Sequence, residues 1–188
     1  MRRLAMLSIG SIALPFTGSS KQQDPPASMI HIPAGMGKKG KVGEMEIVFK
    51  FESKDTGGVL GVWESVIQPG ELGAPPHYHV KTDEFCRVLE GTVTILTGDT
   101  VTEVKAGGWH LRPKGVVHTF WNSGKIPAKT IDLSLPGQHA AYMQELATMF
   151  ENGKRPGPAA IIKLEHKYDI HYRFDLLNGI IDKYGVRL

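Results

Sequence analysis

Two imidazoles stand two residues apart in Pro76-His77-Tyr78-His79-Val80-Lys81-Thr82-Asp83-Glu84, and no other stretch of this 188-residue chain is better equipped for chemistry. On an extended strand successive side chains alternate between faces, so His77 and His79 project toward a common point while Tyr78 projects away. Glu84 adds a carboxylate after a short turn, and Pro113-Lys114-Gly115-Val116-Val117-His118 offers a third imidazole further on. Three imidazoles and one carboxylate suit a single divalent first-row ion, with positions left open for water or substrate. A lone pair of histidines is more often an ordinary surface or core feature. It is the addition of Glu84 and His118 at compatible offsets that turns the pair into a candidate metal site.

Four ligands from two distant segments converge only if a sheet closes on itself, and the flanking sequence reads that way. From Glu44 onward, Met45 to Phe51 and Val59 to Ile67 alternate apolar and polar residues across a hairpin signal at Asp55-Thr56-Gly57-Gly58. Phe85 to Leu89, Thr92 to Leu96, Val101 to Val104, a strand through Leu111, Val116 to Trp121 and Lys129 to Leu135 follow, separated by Gly, Pro and Asp turns. Many short strands at close spacing imply an antiparallel sandwich or barrel. Upstream, Met29-Ile30-His31-Ile32-Pro33 reads as a short edge strand and the Gly- and Lys-rich run Ala34 to Lys41 as a loop without the order of a phosphate-binding loop. After Pro136-Gly137 the spacing becomes helical. Helices are expected over Ala140–Phe150, with Ala141, Leu146, Met149 and Phe150 near one stripe, over Ala159–His166, and over Phe174–Tyr184, stopped by Gly185. By parity with Glu84, Cys86 and Val88 should face inward, Cys86 as a small buried hydrophobe. Phe120 should line the pocket and Trp121 the opposite face. His110, near the barrel mouth, is expected at the surface, with a donor to the metal ligands as the alternative; His139, His166 and His171 in the helical tail have no partner spacing and are expected to be solvated.

The full constellation is Gly70-x6-His77-x-His79-x4-Glu84-x6-Gly91, then Gly107-x5-Pro113-x-Gly115-x2-His118-x3-Asn122. It resembles the two motifs of the cupin superfamily, whose small jelly-roll barrels hold a metal on two His, one Glu and a final His. One spacing departs from the pattern, since Gly70 precedes His77 by one residue more than is usual. Gly70 is a turn residue and not a ligand. The resemblance implies a mostly β fold, a single jelly-roll barrel with C-terminal helices, and His77, His79, Glu84 and His118 as ligands of one divalent transition metal: Fe, Mn, Ni, Co, Cu or Zn. The order of parts over residues 45–172 looks like small single-barrel cupins of the quercetin dioxygenase type. That likeness implies a metal-dependent dioxygenase acting on a small aromatic or enolic compound with O2, and Glu84 as a catalytic base that takes a proton from a substrate hydroxyl. Two alternatives remain: a non-oxidative metal-dependent isomerase or lyase, and a small-molecule-binding barrel without catalysis.

Composition sets the outer limits. With 41% hydrophobic and 22% charged residues the chain suits one packed domain plus appendages. A formal charge of +3 without a basic run interleaved with aromatics gives no nucleic-acid footprint. One cysteine, Cys86, excludes an internal disulfide framework. Met1-Arg2-Arg3, an apolar Leu4 to Phe16 and the small residues Thr17 to Ser20 have the layout of a signal peptide, with an apolar run too short for a permanent membrane span. The expected organisation is a signal peptide over 1–20, a linker over 21–28, the barrel over 29–136 and a helical extension packed on it over 137–188, in an exported, periplasmic or extracellular protein, or a cytoplasmic one if the N-terminal segment does not act as a signal. Open jelly-roll edges make a homodimer the expected assembly.

Overall fold

The computed structural model describes residues 29–188; the expected signal peptide and linker lie outside them. Period-2 alternation decides the core. In β2 (Met45–Phe51) Met45, Ile47 and Phe49 are buried, in β3 (Gly61–Ile67) Gly61, Trp63, Ser65 and Ile67, and in β5 (Asp83–Glu90) Glu84, Cys86 and Val88. Those faces, with that of β10 (Ala128–Leu135), form the inner surface of a six-stranded antiparallel sheet in the order β1-β2-β3-β10-β5-β8, where β1 is Lys38–Val42 and β8 is Trp109–Arg112. Facing it is a five-stranded sheet, β11-β4-β9-β6-β7, built from β4 (His77–Tyr78), β6 (Thr92–Thr97), β7 (Thr100–Lys105), β9 (His118–Trp121) and β11 (His171–Tyr172). The two sheets make the expected jelly-roll, and the apolar core lies between them.

Two sequence expectations near the start are corrected. Met29 to Pro33 is not a strand, and Lys38 to Val42, read as the end of a loop, pairs antiparallel with β2 as an edge strand. Its lysines and glycine suit an edge, where charge discourages further pairing. The hairpin at Asp55–Gly58 exists with a short 3-10 turn, Ser53–Thr56, inside its connection.

After the barrel come α1 (Gln138–Met149), α2 (Pro158–Lys167) and α3 (Leu177–Tyr184). The buried stripe of α1 is His139, Ala140, Tyr142, Met143, Leu146 and Ala147, so Ala141 and Met149 flank the buried face instead of leading it. α3 covers the outside of the smaller sheet, where Leu72, Trp121, Ile180 and Val186 form a second cluster; Trp121 thus faces away from the pocket, as its parity requires. Among the described residues no helix is long and apolar enough to cross a membrane.

The start of α1 lies unusually close to β3. A Cβ on Gly61 would stand 2.5 Å from Ala140 Cβ, and one on Gly137 would stand 2.5 Å from the Leu60 carbonyl carbon. Two glycines therefore let the helix drop its first turn, and with it His139, into the barrel. Gly61→Ala should cost about 1–3 kcal/mol by overpacking and displace that turn, read as a lower unfolding midpoint in denaturant. An unchanged midpoint would mean that the contact relaxes freely.

Candidate metal centre

The segments that carry the four candidate ligands are stitched together by backbone before any side chain is considered. His77 and His118 are direct partners across the β4–β9 ladder, which sets their rings side by side with centroids 4.4 Å apart. Gly115, at φ 77°, makes the turn before β9 and donates its N–H to the His79 carbonyl at 2.6 Å, while Lys114 N–H donates to Asp83 Oδ1 at 2.9 Å. Glu84 enters from the opposite sheet, on β5. One ligand atom from each of His77, His79, Glu84 and His118 then lies within 4.8 Å of the others, and all four residues are buried.

Hydrogen bonds select one tautomer for all three imidazoles. His77 Nδ1–H donates to the Pro75 carbonyl at 2.8 Å, His118 Nδ1–H to the Val116 carbonyl at 3.0 Å, and His79 Nδ1–H to the Asp169 carbonyl. Each Nε2 is left with a lone pair, the protonation pattern of metal-bound histidine. His79 Nε2 has no hydrogen-bond partner at all, though its ring is fully buried. A buried nitrogen lone pair without a donor costs free energy unless something accepts it, and beside a carboxylate and two like nitrogens a cation is the fitting acceptor. The donor set thus suits one metal ion, and the same set leaves the metal's identity open.

Electrostatics favour that state. Burial first, then the neighbouring His118 and His79, holds His77 well below 6.5. Burial lowers His79 to about 4 against the opposing pull of Glu84. Burial would raise Glu84, but Arg112 and the close approach of His139 and His118 outweigh it and keep the carboxyl well below 4.5, ionised. For the histidines the folded value lies under the unfolded one, so below about pH 6.5 the unfolded chain binds more protons. Their stabilising effect is present above pH 6.5 and is lost as pH falls toward 4. Chelator-treated protein should therefore melt progressively lower between pH 6.5 and 4, and a flat Tm over that range would contradict neutral buried imidazoles.

Two residues that the sequence reading passed over hold Glu84. Arg112, at the inward end of β8, places Nε 3.4 Å from Glu84 Oε2 and donates from Nη2 to Asp132 Oδ1 at 2.8 Å. Thr130 Oγ1–H donates to the other Asp132 oxygen at 2.6 Å, and the guanidinium lies over Phe120. Glu84 and Asp132 together shift Arg112 upward against its burial, so it stays charged. His139, expected in solvent, is buried, and its Nε2 lies 2.9 Å from Glu84 Oε1, with its ring stacked on Tyr142. Both signals were present in the sequence. Arg112 immediately precedes Pro113 of the second motif, and His139 shares the i, i+3, i+4, i+7 stripe with Tyr142, Met143 and Leu146. The other expectations divide: Cys86 is buried, its thiol pushed up to about 11 chiefly by burial, and Phe120 lines the pocket. His110 is half-buried, His166 is exposed, and His171 stacks on Tyr78.

The C-terminal arm completes the site. β11 pairs with β4, placing Tyr172 opposite His77, and the Asp169 carboxylate accepts from Val80 N–H at 2.8 Å, Lys81 N–H at 2.7 Å and Thr82 Oγ1–H at 3.1 Å. Asp169 thus fixes His79 through its carbonyl and the following loop through its side chain. Asp169→Ala should weaken metal binding by about 10–100-fold, measured by chelator competition; unchanged affinity would leave Asp169 a role in loop structure alone. Of the four, His77 and Glu84 line a cavity of about 50 Å³, walled by Trp63, Phe120, Tyr142, Met143 and Tyr172 among others, with Arg112 and His139 also facing it.

Comparison with known proteins agrees with the barrel. Residues 63–134 match the family described as "Cupin domain", a span that contains all four clustered residues and excludes His139 and Asp169. Protein SchB of Streptomyces halstedii is 34% identical over 76 residues, 40% of this chain and 53% of that protein. Germin-like protein subfamily 2 member 1 of Arabidopsis thaliana is 39% identical over 88 residues, 42% of this chain and 40% of that one. The chain thus spans about half, or less, of the curated relatives it matches. Among solved structures, KdgF from Halomonas sp. superposes with a TM-score of 0.52 at 15% identity, over 58% of this chain and 94% of that one. A predicted oxalate decarboxylase from Thermotoga maritima gives 0.54 at 15% identity, over 57% and 99%. At such identity these likenesses speak for the fold. Fold, motif and match thus agree that residues 63–134 carry a cupin domain.

Proposed function

We propose that the protein is a metal-dependent dioxygenase of the quercetinase-like kind, with His77, His79, Glu84 and His118 as ligands of one divalent ion and a compact aromatic or enolic compound and O2 as substrates. The observation that carries the reading is the set of three buried imidazoles locked with Nε2 toward an ionised Glu84, beside a cavity with largely apolar and aromatic walls that His77 and Glu84 help to line. A bound ion would supply a Lewis-acidic, redox-capable centre for oxygen chemistry. The chain's own part is to orient and to move a proton. The walls exclude water, and Glu84 accepts the hydroxyl proton of the substrate, delivering it as an enolate or phenolate. Tyr142 and Tyr172, hydrogen-bonded to each other through their hydroxyls at the cavity wall, share one donated proton and keep the other for a bound oxygen atom.

A specific observation favours a second reading, a non-oxidative lyase or isomerase. Both Glu84 oxygens are engaged, Oε1 by His139 and Oε2 by His118 and Arg112, and a carboxylate so held is better placed as a fixed ligand than as a moving base. Oxygen consumption by metal-loaded protein on a panel of diketones, catechols and flavonols separates the two. Uptake of one O2 per substrate consumed supports the dioxygenase, whereas substrate loss without uptake overturns it. Export and a homodimer through the sheet edges complete the proposal; light scattering of the purified protein at a monomer mass would remove the dimer.

A further inference from the structure

The outer face of the larger sheet breaks the alternation that its inner face obeys. An antiparallel sheet with one face in water ordinarily carries polar side chains there. Strand register instead sets Leu111, Phe85, Leu133 and Val62 side by side on β8, β5, β10 and β3, all at outward positions. The next outward row is Trp109, Arg87, Ile131 and Glu64. Trp109 is 60% and Leu111 46% exposed, and Phe85, Ile131, Leu133 and Val62 are half-buried. The extension leaves this face open. Among the described residues α1 and α2 pack into the core and α3 covers the smaller sheet, and neither apolar cluster includes a residue of these two rows. A contiguous apolar face of this kind marks a contact surface.

The charges set in that face select its occupant. Arg87 and Glu64 flank Ile131 on opposite sides of β10. Arg87 is exposed and its guanidinium lies over the Trp109 ring, an arginine and tryptophan pairing of the kind that dominates protein contacts. Glu64 Oε2 lies 3.2 Å from Lys50 Nζ, and a carboxylate has room for a second cation. Two copies stacked face to face are related by a two-fold axis lying between their sheets. With that axis across the strands, Arg87 would meet the partner's Arg87 and Glu64 the partner's Glu64. With the axis along β10, Arg87 meets the partner's Glu64 in two equivalent contacts, Leu133 meets the partner's Leu133, and Phe85 meets the partner's Val62. The face is therefore complementary in charge to a copy of itself. Lys129, the next outward residue on β10, is already paired with Glu90 at 3.5 Å.

We propose that this face, running out to the free β8 edge, is the contact between two copies of the chain, related by a two-fold axis along β10. The proposal rests on the dimer reading above and names its surface: the sheets stack, and the edge is the rim of the contact. The test is sedimentation equilibrium of the full chain as the parent, as Arg87→Glu, as Glu64→Arg, and as an equal mixture of the two variants. Each variant alone sets like charges against each other in both contacts and should dimerise at least about 100-fold more weakly than the parent. One copy of each sets opposite charges against each other in both contacts, so the mixture should dimerise within about tenfold of the parent. Glu64→Arg also takes a partner from Lys50; Trp109→Ser, at a mostly exposed position, reads the same face without that cost and should weaken the dimer at least about tenfold. A parent that sediments at the mass of one chain overturns this proposal and the dimer reading together. A parent dimer that Arg87→Glu and Trp109→Ser leave unweakened overturns the face and leaves a dimer through other edges standing. Variants that dissociate and do not recover on mixing overturn the axis along β10, and the proposal with it.

Discussion

His79→Ala leaves the chain unable to retain its metal: after dialysis the bound ion falls from about one per chain to below roughly a tenth, the outcome expected when one of four ligands is lost. The expectation follows from what His79 does when no metal is considered. Its Nδ1–H is committed to the Asp169 carbonyl, its Nε2 faces the cluster without a partner, and the ring is completely buried. The unpartnered Nε2 contributes nothing to the metal-free fold, so beyond the cavity and the freed Asp169 carbonyl its removal should be felt through binding. In the unaltered protein an ion at a hundred times its Kd adds about 2.7 kcal/mol to stability. For a chain of this size that raises Tm by roughly 5–10 °C. The variant should show no such rise on metal addition, with a metal-free Tm lowered only by the modest cost of the cavity left at position 79. A full metal load by elemental analysis would sink the ligand assignment, and a collapse of the metal-free Tm would recast His79 as a structural residue.

What the sequence disclosed and what it withheld have a common physical reason. His77, His79, Glu84, Cys86 and Phe120 took their directions from period-2 alternation, a local property that survives in the fold. The turn at Pro113–Gly115 was equally local. Arg112 and His139 escaped because their importance depends on what lies across the barrel. A charged residue at an inward position reads as an exception until Glu84 and Asp132 are found within reach of it, and a histidine in the first turn of a helix reads as solvated until the glycine at 61 is seen to admit that turn. Asp169 is harder still. It holds His79 partly through its backbone carbonyl, a group every residue carries, and β11 is only two residues long, so neither periodicity nor residue type marks the arm as part of the site. The matched family span ends at residue 134, before either His139 or Asp169. The candidate cluster of His77, His79, Glu84 and His118 is thus written in the barrel, and groups that orient it, His139 and Asp169, are contributed by the extension.

That division sharpens the second large expectation, at Glu84. Glu84→Gln preserves the length and planarity of the side chain and one carbonyl oxygen, and it leaves His77, His79 and His118 with their Nε2 atoms inward, so the centre should still take up metal, more weakly. The fold should survive because Asp132 continues to hold Arg112 at 2.8 Å and Thr130 continues to hold Asp132. What disappears is the negative charge and with it the capacity to accept a substrate proton. If Glu84 is the base, turnover should fall by about 10²–10⁴-fold in metal-loaded protein, and a substrate supplied already ionised, at a pH above its own pKa, should recover part of the rate. Rescue by the ionised substrate is the discriminating outcome, because a merely weakened metal site would be restored by more metal and not by higher pH. Turnover retained in the variant at saturating metal would remove Glu84 from the chemistry and leave it as a ligand braced by Arg112, His118 and His139, the role that its two engaged oxygens already permit.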